Sequence, residues 1–134
     1  MATRSESLIA LRPTINAAKT NKTMSSEELF QNKTLRPIIK LQHNLLIAVF
    51  ENYISKRKNV FYNLSLEKQL AYIDNAITKD IKFRNSIKGL IMGQFTVEEY
   101  ALYTTNASAL NKRIMTIVKE RLVSSIQLFN IPKY

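Results

Sequence analysis

The stretch from Thr34 to Lys58 constrains the fold most strongly, because it is too apolar to lie on a protein surface. It predicts one central helix, with Thr34 as the N-cap and Pro37 in the first turn, where its missing amide hydrogen costs nothing. The run from Leu45 to Phe50 is apolar on all sides, which for a helix in water predicts burial against several neighbours. The rest of the chain is therefore expected to pack around this helix.

Capping residues divide the remainder of the chain into further helices. Residues suited to accept a hydrogen bond from the first turn of a helix occur at Ser25, Ser65, Asp80, Thr96 and Ser108. Only 2 glycines and 3 prolines interrupt the chain, and no stretch shows the period-two alternation of strands. We expect an all-α single domain, with a bundle of about five helices over residues 25–134 and an extended or partly disordered basic arm over residues 1–24.

Apolar spacing also predicts which face of each helix is buried. The helix after Ser65 presents one apolar stripe at helical spacing, made of Leu66, Leu70, Ile73 and Ile77. The last helix is expected to run to about Phe129 with its own apolar stripe. Gly93 is placed to end the helix that follows Asp80, as glycine does at the position after a helix C-cap.

The charge balance predicts an acidic partner. The chain carries 20 Lys and Arg against 10 Asp and Glu, a formal net charge of +10. A field of this sign attracts nucleic acid or an anionic surface. The basic residues fall in four groups, and the candidate nucleic-acid-binding residues are Arg4, Arg12, Lys19, Lys22, Lys56, Arg57, Lys58, Lys79, Lys82, Arg84, Lys88, Lys112, Arg113, Lys119 and Arg121.

Residues suited to catalysis are few. The chain has no cysteine and one histidine, His43, whereas a metal-dependent hydrolase or lyase needs several converging ligands. Nucleophile-elbow and glycine-rich phosphate-binding motifs are absent from the sequence. Glu98 and Glu99 are neighbours on a helix and point about 100° apart, so they suit a helix start rather than an acid–base pair. We predict no enzyme activity, no catalytic residue, no metal site and no cofactor.

Four runs of sequence, at residues 32–42, 79–89, 93–100 and 108–115, resemble a family of short all-helical flavobacterial proteins that are often labelled glyoxalase. The resemblance spans most of the chain. Glyoxalases bind a metal through His and Glu residues on βαβββ modules, and this chain has one histidine and no strand pattern. No site residue of a glyoxalase can be assigned to it, so the resemblance leaves the function open.

A strong positive charge without catalytic groups predicts a non-enzymatic protein that binds structured RNA through phosphate contacts. Basic groups on several faces suit an accessory structural protein of the ribosome or another ribonucleoprotein. Its expected partners are ribosomal RNA and neighbouring proteins of the assembly.

Two alternatives remain. The first is a protein–protein interaction module or oligomerising bundle, which would use exposed apolar residues such as Phe30, Tyr100 and Tyr103. The second is a lyase of the glyoxalase type. The apolar run from Leu8 to Leu11 is too short for a signal peptide, and no segment is apolar enough to span a membrane, so a cytoplasmic location is expected.

Overall fold

The computed structural model describes residues 2–15 and 24–130, and over these ranges it is all-α with no strand, as the sequence predicts. Helices α1 (Arg4–Leu11) and α2 (Ser26–Phe30) come first, and α2 continues through a π-helical turn (Gln31–Leu35) into α3 (Arg36–Leu41). The remaining helices are α4 (His43–Ser55), α5 (Leu66–Thr78), α6 (Ile81–Met92), α7 (Val97–Thr104) and α8 (Ala107–Ser124). Two 3₁₀ turns cover Val60–Asn63 and Ile126–Asn130. The helical segments are thus shorter and more numerous than the five main helices expected.

Side-chain caps fix where several helices begin. Predicted N-caps are confirmed at Ser25, Ser65, Asp80 and Thr96, whose side chains each accept a hydrogen bond from the backbone N–H three residues later. The prediction for Ser108 is wrong, because α8 begins at Ala107, two residues earlier than an N-cap at Ser108 would require, and Asn106 holds the N-cap position. The Asn106 amide does not cap α8 and instead donates to Glu27 at 2.7 Å. A contact with a distant residue has thus taken the place of a local side-chain cap at the start of α8.

The predicted central helix consists of two helices, because Gln42 interrupts it between α3 and α4. The interruption is slight, since the Gln42 N–H still donates to the Ile38 carbonyl at 2.9 Å and its carbonyl accepts from the Leu46 N–H at 2.8 Å. The Gln42 side-chain amide donates to the Leu90 carbonyl of α6 at 2.9 Å. This bond ties the junction of α3 and α4 to a neighbouring helix.

Two further expectations for this segment are wrong. Thr34 does not cap a helix; it lies buried inside the π-helical turn, and its hydroxyl donates to Glu99 at 3.1 Å. Helix α4 is not buried on all sides, because Leu45 is 45% exposed while Leu46 and Phe50 are buried. The neighbours of α4 cover one face and leave the other to solvent. Pro37 does lie in the first turn of α3, as predicted.

The core lies between α8 and the helices that surround it. Helix α8 contacts α3, α4, α5, α6 and α7, and it buries Leu110, Ile114, Met115, Ile117, Val118 and Leu122. Beside it, an aromatic cluster is centred on Phe50 of α4, which is fully buried. The Phe50 ring lies 5.0–6.2 Å, between centroids, from the rings of Tyr53, Phe61, Tyr72, Phe83 and Phe129. Phe50 therefore joins α4 to α5, α6 and both 3₁₀ turns.

Helix α5 buries a different face from the one its apolar stripe predicts. Ile73 and Ile77 are buried as expected, but Leu66 and Leu70 are 59% and 38% exposed. Gln69 is buried instead, and its side-chain amide donates to the Phe61 carbonyl at 3.1 Å. The Phe61 carbonyl also accepts from the Leu64 N–H at 3.1 Å, so it takes two donors, and the bond from Gln69 gives that buried side-chain amide the partner it needs.

Over residues 2–15 and 24–130, left-handed backbone occurs after α4 rather than after α6. Gly93 ends α6 as predicted, but it is the C-cap itself, with φ −61°, and not the residue after the C-cap. Lys58 and Asn59 have φ values of 60° and 57°, and the Asn59 N–H donates back to the Ile54 carbonyl at 3.2 Å. Two consecutive left-handed residues end α4 sharply and reverse the chain.

Part of the predicted extended arm is helical. Thr3 and Glu6 form a reciprocal capping box that starts α1. No residue of α1 is buried, so apolar packing does not hold it in place. Residues 16–23 of the arm lie outside the described residues.

Truncating the centre of the aromatic cluster should strongly destabilise the fold. We expect Phe50→Ala to lower the free energy of unfolding by about 3–5 kcal/mol, because it leaves a cavity that five rings cannot fill. Leu45→Ala on the same helix is the control. It should lower the free energy of unfolding by less than about 1 kcal/mol, because the Leu45 side chain is about half exposed to solvent. Urea unfolding followed by circular dichroism measures both, and equal losses would contradict the assigned core.

Candidate nucleic-acid interface

Five of the predicted cationic residues meet at one place, where the end of α4 lies beside the junction of α5 and α6. These residues, named here the basic corner, are Lys56, Arg57, Lys58, Lys79 and Lys82. Two adjacent surface clefts of about 550 and 310 Å³ open there, and Tyr53, Arg57, Asp80 and Lys82 line both. Segments more than twenty residues apart in sequence thus supply one positively charged, indented surface.

The position of the basic corner follows from core packing. The Tyr53 ring of α4 lies 4.4 Å, between centroids, from the ring of Phe83 in α6, so the end of α4 is fixed against the start of α6. The left-handed residues Lys58 and Asn59 then turn the chain away before α4 can extend further. The cations therefore stand in the short turns that follow α4 and α5 and in the first turn of α6, rather than on a long loop.

Among the described residues that line the two clefts, Asp80 is the one carboxylate, and its negative charge is engaged locally. Its Oδ1 accepts from the Phe83 N–H at 3.1 Å, and its Oδ2 accepts from the Tyr53 hydroxyl at 2.9 Å and from Arg57 Nη2 at 3.1 Å. The backbone bond from Phe83 and the Tyr53 hydroxyl lower the pKa of Asp80, and the Arg57 charge adds to this against a smaller opposing effect of burial. Asp80 is thus an anion at neutral pH.

Tyr53 and Arg57 form a stacked pair beside Asp80. The Arg57 guanidinium carbon lies 3.5 Å from the centre of the Tyr53 ring, a cation–π geometry. Burial, and then the hydrogen bond to Asp80, raise the pKa of Tyr53 to about 12, so its hydroxyl remains a donor at neutral pH. These contacts hold Arg57 in place while its side chain stays 44% exposed. Arg57 can therefore contact a partner without reorganising.

The four lysines of the basic corner are available to a partner. Lys56, Lys58, Lys79 and Lys82 are all exposed, and none forms an ion pair with a carboxylate of the described residues. Exposed ammonium groups that outnumber local carboxylates create a positive potential that attracts polyanions. The arrangement suits contact with several phosphates at once.

The two described arginines of the N-terminal arm are engaged within the protein. Arg4 donates to the carbonyls of Phe95 and Gly93 at 2.8 and 3.0 Å. Arg12 forms a bidentate ion pair with Glu99, with both N···O distances 2.7 Å, and its side chain is only 9% exposed. These arginines hold α1 against the segment between α6 and α7. Lys19 and Lys22 lie outside the described residues.

Glu99 is the anchor for α1. Burial tends to raise the pKa of Glu99, but hydrogen bonds from Arg12, the Thr96 N–H and the Thr34 hydroxyl, together with the Arg12 charge, outweigh burial and lower it. Because the pKa is lowered on folding, this contact stabilises the protein above the pKa of Glu99 in the unfolded chain. The stabilisation is lost as the pH falls through the lower folded pKa.

The remaining candidate residues are spread over other faces. Arg113 donates to Gln31 at 2.9 Å and to Glu27 at 3.3 Å, and Lys119 pairs with Asp74 at 2.7 Å. Arg84 and Lys88 are half-buried on α6, and Lys112 is exposed on α8. Arg121 faces a separate cleft near His43. The structure does not bring these residues to the basic corner.

The sequence did not identify Tyr53 as part of this surface, and it identified Asp80 only as a cap. A signal for Tyr53 is present, because Tyr53 and Arg57 are four residues apart on one helix and such residues lie side by side. No comparable signal joins Asp80 to Arg57, which contact each other across 23 residues of sequence. That contact depends on how α4 packs against α6.

The apolar residues proposed for a protein-interaction surface are mostly buried. Phe30 and Tyr103 are each 7% exposed, because both rings pack on Phe95 with centroid separations of 5.6 Å. The expectation that these two residues are exposed is wrong. Tyr100 is 52% exposed, as expected.

Known proteins give no further lead on function. Comparison with protein-family models, with curated proteins and with solved structures found no match to this chain. Over residues 2–15 and 24–130, His, Asp and Glu side chains form no group of three or more able to hold a metal ion. No helix in this part of the chain has the length and hydrophobicity needed to cross a membrane.

Replacing Glu99 should release α1 without unfolding the bundle. Glu99→Gln retains a side chain that can complete the capping box, but it removes the charge that binds Arg12. We expect backbone amides of residues 8–11 to lose protection from hydrogen exchange, while α8 keeps its protection, because α1 buries no residue of its own. In the unaltered protein the same loss should appear on acidification, as Glu99 is protonated.

The neighbouring substitution Glu98→Gln is the control, since Glu98 is exposed and makes no contact with Arg12. Mass spectrometry or NMR of amide exchange distinguishes the two variants. Equal exchange of α1 in both, or α1 protection in the Glu99 variant that matches the unaltered protein, would refute this role for Glu99.

Proposed function

We propose that this protein is a non-enzymatic RNA-binding protein that contacts the phosphate backbone of structured RNA through the basic corner. The observation that supports it most strongly is the convergence of Lys56, Arg57, Lys79 and Lys82 around two clefts whose one carboxylate, Asp80, is engaged by Arg57 and Tyr53. Lysines and arginines that neutralise phosphates release counterions, and this release supplies the sequence-independent affinity for nucleic acid.

The two kinds of cation have different roles in this proposal. Arg57 is stacked on Tyr53 and held in one orientation, so it would fix the position of one phosphate. The lysines are exposed point charges on flexible stems, so they would follow the backbone without reading its sequence. Binding should therefore depend on RNA shape more than on base identity.

The cellular setting remains part of the proposal. A protein that contributes phosphate contacts and no reactive group suits an accessory structural protein of the ribosome or another ribonucleoprotein in the cytoplasm. Ribosomal RNA is the proposed partner. Arg113 and Lys119 would add less to RNA affinity than the basic corner, because both pair with carboxylates within the protein.

Removing three lysines of the basic corner should weaken RNA binding and reduce its dependence on salt. For Lys56→Gln, Lys79→Gln and Lys82→Gln combined, we expect the negative slope of log affinity against log salt concentration to become shallower by about 2. Each phosphate that is no longer neutralised contributes roughly 0.7–0.9 to this change. Fluorescence anisotropy with a structured ribosomal RNA fragment, over a series of salt concentrations, measures this slope.

A matched variant separates a local surface from net charge. Lys33→Gln, Lys40→Gln and Lys68→Gln combined remove the same charge at exposed positions outside the two clefts. This control should keep most of the affinity and most of the salt slope. Equal reductions in both triple variants would mean that binding is not localised at the basic corner. Absence of RNA binding by the unaltered protein at low salt would refute the proposed function itself.

A sedimentation experiment addresses the assembly. The protein should move with ribosomes at low salt, and nuclease treatment should release it. A recovered complex that survives complete RNA digestion would instead favour the protein–protein interaction alternative.

A further inference from the structure

A third cleft, of about 800 Å³, lies on another part of the molecule, between the π-helical turn and the C-terminal half of α8. Arg36 and Arg121 both line it, together with the polar side chains of Gln31, Asn32 and Ser124. Its volume falls within the range of small-molecule sites. None of the basic-corner residues lines this cleft.

The two guanidinium groups in this cleft are not neutralised. Neither Arg36 nor Arg121 forms an ion pair with a carboxylate of the described residues. Burial, and then the positive charge of Arg36, lower the pKa of Arg121, so the two like charges are close enough to repel each other. Glu120 also lines the cleft, but it is exposed and pairs with neither arginine. The cleft thus has an excess of partly buried positive charge.

The side chains around Arg36 are held in fixed orientations. Arg36 Nε donates to Asn32 Oδ1 at 3.2 Å, and Gln31 donates to the same oxygen at 3.4 Å. Gln31 Oε1 in turn accepts from Arg113 at 2.9 Å. With Nε engaged in this way, the two terminal nitrogens of Arg36 remain as donors for a ligand.

Arg121 is oriented from the other side by His43. Arg121 Nη1 lies 3.4 Å from His43 Nδ1. A guanidinium group can only donate, so Nδ1 is the acceptor in this contact. An imidazole ring carries no negative charge, so it positions Arg121 without cancelling the charge of the guanidinium group.

The backbone that presents Arg36 is itself unusual. Residues Gln31–Leu35 form a π-helical turn, in which the Arg36 N–H donates to the Gln31 carbonyl five residues earlier. Such turns are rare and occur often at functional sites. Gln31 and Asn32 at the start of the turn, and Arg36 directly after it, all line the cleft. The irregular backbone and the unpaired arginines therefore coincide.

We propose that this cleft binds the phosphate group of a small phosphorylated molecule, held by Arg36 and Arg121. A phosphate monoester carries close to two negative charges at neutral pH, which match two guanidinium groups, whereas a single carboxylate would neutralise only one. Arginine is suited to this task because its planar fork donates two parallel hydrogen bonds to a phosphate. The cleft volume leaves room for more than the phosphate itself. The site is independent of the proposed RNA surface.

NMR titration of the full chain with inorganic phosphate and with adenosine monophosphate, at constant ionic strength, tests the proposal. We expect saturable shifts of the amides of residues 31–36 and 117–124, with a dissociation constant of about 1 mM or tighter. Tighter binding of adenosine monophosphate than of inorganic phosphate would identify an ester as the ligand, and equal binding would identify the free anion as sufficient. Shifts that do not saturate, or that appear at the basic corner instead, would overturn the proposal.

Variants of the two arginines provide the second test. Arg36→Gln and Arg121→Gln should each weaken phosphate binding roughly tenfold, because each removes a charge-assisted contact. Arg121→Lys keeps the charge without the fork and should bind with intermediate affinity. Lys79→Gln with Lys82→Gln is the control and should leave phosphate affinity unchanged. Circular dichroism establishes that each variant is folded, and Arg36→Gln, at a half-buried position, decides the matter if Arg121→Gln does not fold.

The same variants distinguish this proposal from RNA binding. Arg36→Gln should leave RNA affinity unchanged, and the triple lysine variant of the basic corner should leave phosphate affinity unchanged. An Arg36 variant that keeps full phosphate affinity would overturn the proposal. An Arg36 variant that loses RNA affinity as severely as the triple lysine variant would also overturn it, because the cleft would then belong to the RNA surface.

Discussion

The packing of aromatic rings around Phe50 is the interaction on which the rest of the structure depends. Phe50 is fully buried and touches rings from α5, from α6 and from both 3₁₀ turns. Tyr53, one turn further along α4, packs on Phe83 and supports Arg57 on its other side. The packing of the apolar rings therefore fixes the position of the Arg57 guanidinium group. The core beneath the basic corner thus determines where its residues lie.

The basic residues fall into two classes, according to whether they pair with a carboxylate of the same protein. Arg12 and Arg113 lie close to carboxylates that reach them from distant helices, so their charge is used in holding the fold together. The lysines at positions 56, 58, 79 and 82 have no such partner among the described residues and remain on the surface. Net charge alone therefore overstates the attraction to a polyanion. The cations that matter for a partner are those that the fold leaves unpaired.

Local features of the fold were readable from the sequence, whereas contacts between distant residues were not. Ser65 and Asp80 cap their helices because a cap depends only on the next three residues. The exposed Leu66 and the buried Gln69 contradict the apolar stripe of α5, since the neighbouring 3₁₀ turn decides which face is covered. The pairing of Arg12 with Glu99 joins residues 87 positions apart, and no local pattern encodes it. The sequence predicted the candidate site only as a set of cationic residues. Helix packing determines which five of them lie together at the basic corner.

The crowding of positive charge at the end of α4 has a consequence for how this protein responds to its solution. Lys56, Lys79 and Lys82 stand around clefts in which Asp80 is the single carboxylate of the described lining, so in the free protein they repel one another. Mobile anions screen this repulsion, and a bound polyphosphate would remove it altogether. Added salt should then favour the folded chain while it weakens the proposed association with RNA. The free energy of unfolding would rise with ionic strength, and the affinity for RNA would fall. The free protein would therefore be least stable at low salt, where the proposed binding to RNA is tightest.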